Sequence, residues 1–163
     1  MRKLILVATL GLVTAFGLSA CNKQENTQTQ EVMPTKPASP TDKAGWKKYL
    51  VAIVKQNLDG MTAKRPYLYF IPAGDDDEAL SQRMNQLSNV QDVVARTVLP
   101  GNLMAFGGPD SATTADFIVQ AFQNAEKSAF KGVIVLFIGD KADEQRVVDA
   151  LAPSGATVRF VQM

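Results

Sequence analysis

Histidine is absent from this 163-residue chain, and cysteine occurs once. Without histidine there is no Ser-His-Asp or Cys-His constellation and none of the usual zinc sites. With one cysteine, no disulfide forms within the chain. Charge of one sign is missing too: 17 basic residues face 16 acidic ones, a formal net charge of +1. A nucleic-acid binder shows a basic excess gathered on one face, so the composition points away from that class. Long hydrophobic runs are also lacking. The mostly apolar residues 4–16 fall short of the roughly 20 needed to cross a bilayer as a helix.

What is present at the N-terminus reads as targeting. Arg2 and Lys3 precede the apolar stretch, which has the length of a signal-peptide core. It ends in Leu18-Ser19-Ala20-Cys21. This resembles the lipobox of bacterial lipoproteins, a Leu and two small residues before a Cys, and the resemblance covers only the first 21 residues. It implies cleavage before Cys21 and acylation of its sulfur and new amino group. Asn22, where an Asp often retains such proteins in the inner membrane, implies the outer membrane facing the periplasm in a Gram-negative host. The alternative is a secretory signal with a cysteine there by chance; the position of the sole thiol favours lipidation. Lipidation removes Cys21 from consideration as nucleophile or metal ligand. Losing Arg2 and Lys3 turns the net charge of +1 into −1. Two or more acyl chains, at about 0.8 kcal/mol per buried methylene, hold without help from surface charge.

Three segments follow: a signal peptide over 1–20, a lipidated cysteine with a polar, proline-containing tether over 21–43, and one domain over 44–163. The tether has only Val32 and Met33 as sizeable apolar residues, too few to offset the entropy of ordering it. In the domain, Asp42 is placed to cap a first helix whose Trp46, Leu50, Ile53, Val54 and Leu58 share a stripe. Alternation then predicts strands over 67–71, 92–98, 133–138 and 157–161, with helices over 77–88, 111–125 and 143–151. The stretch 133–138 is apolar throughout, the mark of a strand buried on both faces. The expected fold is α/β: a small open sheet of about four mainly parallel strands, helices on both faces and one extra helix in front.

Ligands of such sheets bind beyond the strand C-termini where the strand order reverses. Three glycine-containing loops are expected there. One carries Asp75 and Asp76, a second spans 99–110 with Gly107, Gly108 and Asp110 leading into Ser111, and the third carries Asp140 and Lys141. Asp75, Asp76 and Asp140 converging on a hard cation is one reading; helix capping by the same acids is the favoured one. Gly107-Gly108 before a helix start suits an anion, but no GxxxxGK[ST] or GxGxxG pattern is present, and a Gly-Pro turn with an acidic or serine cap is favoured. No residue is assigned as catalytic or as a metal ligand, and no cofactor is expected.

These features predict a lipid-anchored, non-enzymatic binding module for a protein partner in the cell envelope, a secretion system or an effector, with the membrane engaged through Cys21 and no nucleic acid. The alternative is a metal-dependent or small-ligand enzyme using the acidic loops.

Overall fold

A computed structural model describes residues 34–96 and 98–163; the signal segment and Cys21 lie outside them. Val32–Met163 forms one compact unit. It begins before residue 44, because the end of the tether packs on the first helix, α1 (Lys43–Lys55). The Trp46 indole, 2 % exposed, donates to the Ser39 carbonyl at 3.0 Å. Buried indole N–H groups need such a partner, and the chain just ahead of α1 supplies it. Asp42 caps α1 by accepting from the Gly45 N–H at 2.9 Å.

Four parallel strands follow: β1 (Tyr67–Phe70), β2 (Leu103–Gly107), β3 (Ile134–Gly139) and β4 (Thr157–Gln162), in the spatial order β1-β2-β3-β4. The crossover helices are α2 (Asp77–Ala95), α3 (Ser111–Phe122) and α4 (Lys141–Leu151). Crossovers of one hand that always step the same way put their helices on one face. Side chains of α2, α3 and α4 accordingly share a core with Met104, Phe106, Val135 and Phe137. The alternate residues Leu103, Ala105, Ile134, Leu136 and Ile138 form the second core, against Trp46, Leu50, Ile53 and Val54 of α1. The expected class holds, with α1, among the described residues, alone on one face.

Two expectations are corrected. Residues 92–98 are not the second strand: α2 continues through Val90 and Val94, both buried on its sheet-facing side. The second strand lies inside the stretch expected to be an irregular loop, as Leu103–Gly107, buried at every position. The turn before it is built by Leu99-Pro100-Gly101-Asn102, with the Asn102 N–H donating to the Leu99 carbonyl at 3.3 Å. Proline at the second position and glycine at φ +85° in the third are what a type II turn requires.

Candidate functional site

In a sheet ordered β1 to β4 without reversal, no crevice opens between oppositely directed crossovers. The expected ligand position at an order reversal therefore has no counterpart. The strand C-terminal edge still gathers the three loops, and each candidate side chain there has a definite partner or place.

Asp76 is the cap of α2, accepting from the Ala79 N–H at 2.9 Å. Asp77 and Glu78 fill the first turn, where negative charge complements the helix dipole. Asp75 is fully exposed and lies 3.6 Å from the Arg83 guanidinium. Arg83 itself is held by the chain after β1, donating to the carbonyls of Pro72 at 2.9 Å and of Gly74. Asp110 caps α3 by accepting from the Thr113 N–H at 2.6 Å.

Gly107 and Gly108 serve close packing. A Cβ on Gly107 would stand 2.6 Å from a Leu50 methyl, and one on Gly108 would stand 2.0 Å from the Ile71 carbonyl oxygen. The Ile71 N–H donates to the Gly107 carbonyl at 2.8 Å, continuing the ladder beyond β1. The paired glycines let the chains leaving β1 and β2 run against each other.

The capping expected of Asp75 and Asp140 is corrected: Asp75 faces Arg83 one residue ahead of the cap, and Asp140 stands at the cap position of α4 without a side-chain cap bond, its carboxylate being drawn towards β4 instead. Its carboxylate accepts from the Gln162 amide at 3.1 Å. Its backbone N–H donates to Ser111 Oγ at 2.7 Å, and that hydroxyl donates onward to Asp143 at 2.6 Å. Arg146 completes the tie, bonding Asp143 at 2.7 Å and pairing with Asp116 of α3. Ser111 is thus a buried junction between the starts of α3 and α4, with its proton and a lone pair both engaged. The sequence reading had not singled out Asp116, Arg83 or Arg146. Only the Asp143–Arg146 spacing of three on a helix was there to signal the last.

The loop after β1 and the loop after β3 are separated by β2. Among the described residues, no three histidine, cysteine, aspartate or glutamate side chains gather as a metal-ion group.

Shallow cavities flank α2. One of about 320 Å³ lies towards α3, lined by Leu80, Met84, Leu87 and Phe117 with Asp75 and Arg83 on its rim. Another of about 320 Å³ lies between the start of α1 and the turn into α2. There Lys43 donates to Glu78 at 2.7 Å and holds its carboxyl below the usual range. A third, about 480 Å³, runs along the open edge of β1 past Lys47, Leu68, Phe70 and Asn85. The first half of α2 buries only Ala79, which leaves Leu80 and Met84 exposed, the latter 70 %. No known protein family, curated protein or solved structure matches this chain.

Proposed function

We propose that this protein is a lipoprotein, anchored through acyl chains on Cys21 and sorted to the outer membrane, whose domain works as a non-enzymatic binding module for an envelope, secretion-system or effector protein. The anchor rests on Leu18-Ser19-Ala20-Cys21 standing directly after a charged start and a signal-length apolar stretch. The binding role is supported by how the strand-end polar groups are used. Asp76 and Asp110 hold backbone N–H groups, Ser111 joins two helices, and Gly107-Gly108 accommodate neighbouring chain. Exposed apolar side chains on α2 beside a shallow cavity are suited to a protein surface.

Substituting Cys21→Ser tests the anchor. The wild-type protein is expected in the membrane fraction with a fatty-acyl mass on its N-terminal peptide, and the variant in the soluble fraction. An unmodified thiol at Cys21 in the processed protein overturns the reading. For the domain, the thermal midpoint is compared with and without millimolar Mg²⁺, Ca²⁺ or phosphate compounds. A binding module for protein gives no shift, whereas a ligand at a hundred times its Kd stabilises by about 2.7 kcal/mol, and such a rise would favour an enzyme.

A further inference from the structure

Among the described residues, the helices α1 to α4 run against the strands, so their C-termini and the strand starts share one edge of the domain. The loops of that edge are stitched together. Thr62 and Ala63 donate to the Gly101 carbonyl at 2.9 and 3.0 Å, and the Gly101 N–H donates to the Gly132 carbonyl at 2.7 Å. Phe130 and Ser128 in turn donate to the Ser154 and Pro153 carbonyls.

This edge is basic. Lys64 and Arg65 precede β1, Arg96 ends α2, and Lys127 and Lys131 stand before β3, all exposed. None of these five pairs with an acid among the described residues. The acids of the edge are Asp59, Asp92, Glu126 and, in the last turn of α4, Asp149, while Lys55 closes α1 there as a further cation. The opposite edge holds Asp75, Asp76, Asp77 and Glu78 before β2, and Asp110, Asp140 and Asp143 beyond it, against the cations Lys43, Arg83, Lys141 and Arg146, and so is acidic on balance. A nearly neutral chain therefore folds into a domain with unlike ends. Between the cations, the Leu99–Asn102 turn thrusts out Leu99, 73 % exposed, on a support fixed by hydrogen bonds on both sides.

We propose that this edge docks on anionic lipid headgroups, with Leu99 entering the interfacial region. Each lysine or arginine close to an anionic surface contributes about 1 kcal/mol, within a Debye length. The same field repels the acidic edge, so the two ends together fix one orientation with the strand C-termini facing away from the lipid. The start of α1 lies at the acidic edge, beside Pro72 and Gly74. An anchor at Cys21 is compatible with this pose: the 13 peptide steps from Cys21 to Pro34 extend to at most about 45 Å, whereas a six-residue strand is about 20 Å long.

The inference stands apart from lipidation and is tested without it. Val32–Met163, which contains both cores, is floated with vesicles of phosphatidylglycerol and phosphatidylcholine, or of phosphatidylcholine alone, at low salt. Binding is expected to the first only, and to fall as salt rises. Lys64→Glu with Arg65→Glu, or Lys127→Glu with Lys131→Glu, should lower the partition coefficient tenfold or more. Lys48→Glu with Lys141→Glu makes the same charge change elsewhere and should alter it less than twofold. Leu99→Ser should lower it about fivefold. Emission from the buried Trp46 confirms that each variant is folded. Equal partition onto the two vesicle types, or a control variant that loses as much as the edge variants, overturns the proposal.

Discussion

Gly108 has no room for a side chain. Its neighbour is the Ile71 carbonyl oxygen, 2.0 Å from where a Cβ would lie. A backbone atom cannot swing aside as a flexible side chain can, so Gly108→Ala should destabilise by about 1–3 kcal/mol, read as a lower urea midpoint with an unchanged slope. Ser111 is the polar counterpart. Replacing it by alanine removes the acceptor of the Asp140 N–H and the donor to Asp143 in a position 5 % exposed. Leaving a buried donor unsatisfied costs about 1–3 kcal/mol, so Ser111→Ala should lower the thermal midpoint clearly. Ser111→Thr, which keeps the hydroxyl, should lose less if its methyl fits. The roles of these residues were legible only in part. A serine after Gly-Gly-Pro-Asp invites a capping or anion-binding reading, because the sequence displays the turn. It does not display Asp143, which lies some thirty residues on and meets Ser111 only after α3 and α4 have packed.

At the scale of elements, the helix starts were readable because capping is local chemistry. Asp42, Asp76 and Asp110 each bond the N–H three residues ahead, as their positions before apolar stripes suggested. The second strand was not readable. Residues 90–98 are rich in valine, which favours strands, yet Leu87, Val90 and Val94 follow helical spacing and that period wins because it buries them. Residues 103–107 sit between Leu-Pro-Gly-Asn and Gly-Gly-Pro-Asp, so the surrounding turn residues mask a short run buried on both faces. The caps differ in a way that can be measured. Asp76→Ala and Asp110→Ala should each cost about 1 kcal/mol. Asp140→Ala should cost less, because its carboxylate makes no cap bond. A larger loss at Asp140 than at Asp76 would contradict this account. At the start of α2, Glu78 has its pKa lowered chiefly by the hydrogen bond from Lys43 and then by that residue's charge. A carboxyl with a depressed folded pKa favours the fold above its unfolded pKa and loses that contribution as pH falls through the folded value. Removing the pair with Glu78→Gln should therefore flatten the acid limb of the stability curve slightly and leave the alkaline limb as it is. The effect should fade in high salt, since the pair is exposed.

For the whole molecule, the decisive feature is that three crossovers step in one direction. They commit α2, α3 and α4 to one face and leave Leu103, Ala105, Ile134, Leu136 and Ile138 to a single helix of 13 residues. α1 is therefore an integral half of the core, although it precedes the first strand and could be mistaken for a continuation of the tether. Leu50 is fully buried and rests where Gly107 leaves space. Leu50→Ala should open a cavity there and cost about 2–5 kcal/mol. By contrast, Val51→Ala on the outer side of the same helix, at a position 42 % exposed, should cost less than about 1 kcal/mol. Removing α1 altogether should expose a continuous apolar sheet face. A chain starting at Met61 is expected to bind a hydrophobic dye and aggregate, while one starting at Val32 stays monodisperse. If the shorter chain folds cooperatively with the stability of the longer one, α1 is an appendage and the two-core description fails. The difference between Leu50→Ala and Val51→Ala would then vanish as well, so the two measurements check the same claim by independent routes.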